Sequence, residues 1–140
     1  MTDTSGNAER DIAAYIELAG LGTRGSTIFV NDKPASPDAV ICVFGYAGSP
    51  PERTHDTSGN DRPSVQVWVR GAANGSGAAR TLLDKIYNLL DGVTNTPING
   101  GFYIGIDAIQ SGPTYMGKDD TTTPGRPEYV MNFACLRRRP

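Results

Sequence analysis

Apolar residues recur along this chain in two periods, and the places where one period gives way to the other predict its elements. Between about Asn7 and Leu18, Ile12, Tyr15, Ile16 and Ala19 fall on one helical stripe, with Glu9, Arg10 and Glu17 off it. Gly20 and Gly22 then supply the left-handed stop that helices favour. A short strand, STIFV, follows, and NDKPASPD turns the chain. Ala39 to Tyr46 is apolar at both parities, Val40, Cys42 and Phe44 on one face and Ile41 and Val43 on the other, which predicts a strand inside a sheet. Val65, Val67 and Val69 alternate with Gln66, Trp68 and Arg70, a strand with one covered face. After the turn GAANGSG, Ala79, Leu82, Leu83, Ile86 and Leu90 form the stripe of a second helix, Ser76 to Leu90, ended by Gly92. Phe102, Ile104, Ile106 and Ala108 alternate with Tyr103, Gly105 and Asp107. In the last strand, EYVMNFACLRR, Tyr129, Met131, Phe133 and Cys135 share a face.

The predicted order is α-β-β-β-α-β-β, with Asn99-Gly100 marking an additional small hairpin. Strands in runs with single helices between them point to an α+β fold, a mostly antiparallel β-sheet with two main α-helices packed on one face. The length, 140 residues, suits a single domain over 1–140, interrupted by long loops at about 47–63 and 111–127. The first of these, AGSPPERTHDTSGNDRP, stands between two strong strand patterns where two to five residues would suffice. A connection of that length is expected to be functional or disordered.

Composition narrows the function. A net charge of −2 and a pI near 5.3 argue against binding nucleic acid by neutralising phosphates. The longest apolar run, Ala39 to Gly48, is far short of the ~20 residues of a membrane-spanning helix, and MTDTSGNAER has no apolar signal-peptide core. Synthesis in a reducing cytoplasm is the default expectation. Cys42 and Cys135 lie within apolar strand patterns and read as buried core residues rather than a disulfide; no Cys/His spacing for zinc accompanies them.

Candidate chemistry is thin. Gly20-Leu21-Gly22-Thr23-Arg24-Gly25 matches a dinucleotide fingerprint, but it follows a helix and precedes a strand, the reverse of the order in which a helix N-terminus meets a pyrophosphate. GAANGSGAAR has the right order but no lysine, and reads as an ordinary strand-to-helix connection. His55, the sole histidine, has Asp56 beside it and Ser49 and Ser58 nearby, yet neighbouring side chains on a loop lack the fixed geometry of a hydrolytic triad. Asp119-Asp120 lacks the spacing of a calcium loop, and Arg137, Arg138 and Arg139 read as hydrated terminal charges. Neither catalytic residues, nor a metal site, nor a cofactor is expected.

The segments YAGSPPERT, RPSVQVWVR, IYNLLDGVTNTPING and GRPEYVMNFACLRR, in that order, resemble the tail-terminator or minor capsid family of long-tailed bacteriophages. The likeness runs from the helix DIAAYIELAGLG to the final RRP; HDTSGND makes the first loop longer and more polar than the family pattern. The resemblance implies a structural virion protein and no enzyme. Six copies would close a homo-oligomeric ring that caps the tail tube, ends its polymerisation, and meets the neck or head-completion protein at the head-tail junction. DNA would pass through the lumen without specific binding. Assembly would take place in the host bacterial cytoplasm. On this reading the long loop is an arm toward the adjacent subunit or the tube, with Pro50 and Pro51 stiffening its base and Glu52, Arg53 and Arg62 making charge-assisted contacts. Two alternatives are another phage neck or head-completion protein, and a small enzyme or ligand-binding module built on the loops after Tyr46 and Gly71.

Overall fold

A computed structural model describes residues 7–49, 59–119, 121 and 124–138 of the chain. Its elements run α1 (Ala8–Leu18), β1 (Ile28–Val30), β2 (Val40–Ser49), β3 (Asn60–Arg70), α2 (Ser76–Leu90), β4 (Val93–Ile98), β5 (Gly101–Ala108), β6 (Thr114–Asp119) and β7 (Arg126–Arg138). The α+β fold predicted from periodicity is the one observed, with the α-β-β-β-α-β-β order enlarged by β4 and β6. β4 is the first arm of the hairpin expected at Asn99-Gly100, where both residues take positive φ, 47° and 88°. β6 lies within the stretch 111–127 that reads as loop: TYMGKD is too short and too polar to show a period, and it gains strand form by pairing with β7.

All strands join one sheet in the order β1-β2-β3-β7-β5-β4, with β6 beside β7. Every pairing is antiparallel except β1 with β2. β7 organises the sheet. One of its edges pairs with β3 along its length; the other is shared, β6 taking Arg126 to Val130 and β5 taking Phe133 to Arg137.

Both helices pack on one face. Ile12 and Ile16 of α1 and Leu83, Ile86 and Leu90 of α2 join a single core with Val65, Val67 and Val69 of β3 and Met131 and Phe133 of β7. Burial of each such side chain contributes about 1.5–3 kcal/mol. The Asn7 side chain caps α1 by accepting the Arg10 N–H at 2.8 Å. One close approach fixes this helix start on the sheet. The Asn31 amide donates to the Glu9 carboxylate at 2.9 Å and its oxygen accepts the Gly45 N–H at 3.0 Å. A Cβ at Gly45 would stand 2.5 Å from the Glu9 carboxyl group, so a larger residue there would displace that side chain from its bond to Asn31.

Among the described residues, the face away from the helices is crossed by one irregular segment. Residues 31–39 cross it as a strap, and Arg70, expected on an open face, is 97% buried beneath them. Its guanidinium donates to the carbonyls of Asp38, Pro34 and Pro37 at 2.9, 2.7 and 2.8 Å. Along this face Gln66, Trp68 and Asn132 are linked side chain to side chain, the indole donating to Gln66 at 2.6 Å and Gln66 to Asn132 at 3.0 Å.

Candidate assembly site at the hairpin root

The long excursion at 47–63 is largely strand at both ends. β2 continues to Ser49 and β3 begins at Asn60, with Ser49 opposite Arg62 and a register shift after Tyr46. β3 also pairs at this end with β7, Asn60 opposite Arg138 and Asp61 opposite Arg137. The sequence pattern missed this because the extension is built from Ala, Gly, Ser, Asn, Asp and Arg, which carry no apolar alternation. Of the expected contact residues, Arg62 is half-buried within β3, while Pro50, Pro51, Glu52 and Arg53 lie outside the described residues. So do His55, Asp56 and Ser58.

A buried ionic cluster sits at the root of this hairpin. Asp11 of α1 is fully buried. It accepts the Tyr103 hydroxyl at 2.6 Å and the Asn99 amide at 3.2 Å, and Arg137 stands 3.6 Å from it. The same guanidinium lies 3.6 Å from Asp61, at the start of β3. Burial first, and then the hydrogen bond to Asp11, hold the Tyr103 phenol far above its ordinary range, so it donates at every physiological pH. Arg137 therefore corrects the expectation of a hydrated terminal charge. It continues the inward series Tyr129, Met131, Phe133, Cys135, and that period was the signal that placed it inside. Asp11, three residues after the buried Ala8 and beside Ile12, carried the analogous helical signal.

A second ionic cluster holds the strap at the far end of β7. Arg126, 98% buried, donates to the Ala35 carbonyl and the Asp119 carboxylate at 2.6 Å each, to the Thr121 hydroxyl at 3.0 Å and to Asp38 at 3.2 Å. Asp119, which reads as solvated from the sequence, is thus enclosed by cations, with Arg70 3.7 Å away. The N–H and hydroxyl of Thr121, and then Arg126, lower its pKa to about 2. Lys33 of the strap caps the Trp68 ring at 4.5 Å and pairs with Glu128 at 2.5 Å.

The remaining sequence candidates have structural roles. Gly20 (φ 81°) ends α1 within the GLGTRG match, and Gly71 allows the tight turn before α2, where a Cβ would meet the Gly75 carbonyl at 2.9 Å. Cys42 and Cys135 are free thiols, both buried. Among the described residues no three His, Cys, Asp or Glu side chains group to hold a metal, and no helix is long and apolar enough to cross a membrane. Large apolar side chains stay exposed at Leu18, Tyr46, Ile109, Tyr115 and Met116. Buried ion pairs tie both ends of β7 to neighbouring segments, and apolar side chains remain exposed at the margins, a combination that suits assembly.

Compared with known families, residues 15–138 match the model described as bacteriophage tail terminator protein. No curated protein matches the chain.

Proposed function

Because the chain belongs to the bacteriophage tail terminator proteins, a family of structural tail components, we propose that it closes a homo-oligomeric ring on the end of the tail tube. The ring stops tube polymerisation and presents the surface that receives the neck or head-completion protein. The match over residues 15–138 carries this reading. Two features of the fold support it. The hairpin formed by β2 and β3 extends past the helices' core, and its root is tied to α1 and β7 by the Asp61–Arg137–Asp11 series. An arm anchored in this way loses little further freedom on docking.

In this assembly Pro50, Pro51, Glu52, Arg53 and Arg62 contact the adjacent subunit or the tube, and six copies surround the lumen. DNA passes through without being held, consistent with the net charge of −2. The protein then sits at the head-tail junction, joined to the tube after synthesis in the host cytoplasm.

Electron microscopy of tail tubes mixed with the protein tests this reading. The expected result is a cap on one end of each tube and an arrest of its growth; tubes that elongate unchanged would end it. Label found only at the head portal would favour a head-completion role instead. Deleting Thr54–Ser58, which spares Asp61 and its ion pair, is expected to leave the fold intact and abolish capping.

A further inference from the structure

An asparagine followed by glycine is open to attack on its own side chain, because glycine has no Cβ to hinder its backbone nitrogen. The chain contains two such pairs, Asn74-Gly75 in the turn before α2 and Asn99-Gly100 in the β4–β5 hairpin. Both asparagines have left-handed backbones, with φ 62° and 47°. They differ in what surrounds the side chain.

Asn99 is half-buried, and its amide donates to the Asp11 carboxylate at 3.2 Å. Asp11 is itself fully buried and held by the Tyr103 hydroxyl, so this acceptor cannot follow a rotating amide. Paired strands also enter and leave the turn directly, with Ile98 opposite Gly101. Asn74 is exposed, and its side chain makes no hydrogen bond among the described residues. The Gly75 N–H donates to the Ala72 carbonyl at 2.8 Å, a single bond in an exposed turn that opens more readily than a strand ladder.

The two positions differ as well in how they receive a new charge. Gly75 caps α2 without a side chain, and no acid stands in the first turn of that helix. A carboxylate at position 74 would lie at the positive end of the helix dipole. At position 99 the same change would set a second carboxylate against Asp11 and remove the donor between them.

We propose that Asn74 is a modification site, converted to a carboxylate by spontaneous deamidation, while the bond to Asp11 preserves Asn99. The Gly75 nitrogen attacks Cγ of Asn74, forming a C–N bond as the Cγ–Nδ2 bond breaks, and the Gly75 proton leaves with Nδ2 as ammonia. Water then opens the cyclic imide, at Cγ to give aspartate or at the main-chain carbonyl to give isoaspartate. The new charge falls at the strap end of β7, where Gly71 bonds Pro127 and Ser76 meets Tyr129, away from the hairpin root.

The test incubates the full chain at mildly alkaline pH and follows the peptides carrying positions 74 and 99 by mass spectrometry. Conversion is expected to be about tenfold faster at Asn74, because its amide is released by a smaller local opening. Equal rates, or a faster Asn99, would overturn the proposal. So would two intact amides at a time when a free peptide of the sequence AANGSG has fully converted. Asn74→Gly keeps the left-handed backbone accessible and is expected to abolish the early acidic band on isoelectric focusing; persistence of that band would place the reaction elsewhere. Asn74→Asp is expected to unfold at no lower denaturant concentration than the unaltered protein, and Asn99→Asp at a lower one. The reverse order would overturn the assignment of the tolerant and the protected site.

Discussion

The two ends of β7 bury charge in different ways. At the strap end, Arg70 is met mainly by the backbone carbonyls of residues 34, 37 and 38, while Arg126 takes the Ala35 carbonyl, the Thr121 hydroxyl and the carboxylates of Asp38 and Asp119, the last lying between the two arginines. At the hairpin root, Arg137 is met by carboxylates from two elements, Asp11 of α1 and Asp61 of β3, with Tyr103 and Asn99 completing the Asp11 shell. The first arrangement fastens an irregular segment to a sheet face that would otherwise be open. The second joins a helix, a long strand and the root of an arm. Carbonyls of a crossing segment need only that segment; carboxylates on two separate elements need both in place, and they make the hairpin root depend on the correct packing of α1.

Removing one member of a buried pair leaves the other charge without compensation, which costs about 3–5 kcal/mol. The largest effect is expected for Asp11→Ala, about 4 kcal/mol, because Arg137 and the Tyr103 hydroxyl both lose an acceptor. Denaturant unfolding should register it as a lower midpoint with an unchanged slope. A loss under about 1 kcal/mol would mean that Asp61 alone satisfies Arg137 and that the two ends are equivalent.

Arg126→Met should cost less, about 3 kcal/mol, since the aliphatic stem is kept and Asp119 can turn to water. The same unfolding measurement gives the comparison directly. If Arg126→Met proves the worse of the two, the strap rather than the hairpin root is the stability-determining end.

Acid separates the ends by a smaller effect. The folded pKa of Asp119 is about 2, below its ordinary value of 3.8, so its carboxylate favours folding at pH above that value. This contribution fades as pH falls from about 4 toward 2, where the folded form also takes up a proton. Asp119→Asn should therefore flatten the acid limb of a stability–pH profile between pH 4 and 2, while stability at pH 7 drops by a constant amount. An acid limb identical to that of the unaltered protein would place the titrating group elsewhere.

The uneven legibility of the fold follows from the same contrast. Where packing is apolar, period and identity coincide, and Ile12–Ile16, Val65–Val69, Leu83–Leu90 and Tyr129–Cys135 announce their elements and their inward faces. β4 was legible through its turn, Asn99-Gly100, rather than through its own residues. β6 and the outer parts of β2 and β3 are polar strands formed by pairing with β7 or with each other, and pairing partners leave no mark on a single strand's pattern. The buried charges fell between these cases. Asp11, Arg70 and Arg137 each stand at a position that the local period marks, but a charged residue there ordinarily signals an element's end or a wet face. Only the partner, tens of residues away in sequence, makes burial tolerable. Of the assembly surface, the length and composition of the arm were legible, while its anchoring arises from contacts between distant segments.

The two cysteines give each end its own reporter, with the smallest effect of all. Cys42 lies on the strap's side of the sheet, and burial raises its thiol pKa to about 11, with Arg70 and Lys33 opposing. Cys135 lies in the helix-side core, where burial raises the value to about 12, with Arg137 opposing. Both thiols are protonated at neutral pH, and labelling by a disulfide reagent must wait for local opening. Opening the strap uncovers Cys42 without disturbing the core, so Cys42 should label first in the unaltered protein, by a modest factor. Arg126→Met should widen that gap by about tenfold for each 1.4 kcal/mol it removes from the strap alone, whereas Asp11→Ala should hasten Cys135. Mass-resolved labelling at pH 8 distinguishes the sites. Equal acceleration of both thiols by either substitution would mean that the sheet opens as one unit, and that the two ends of β7 are one cooperative structure.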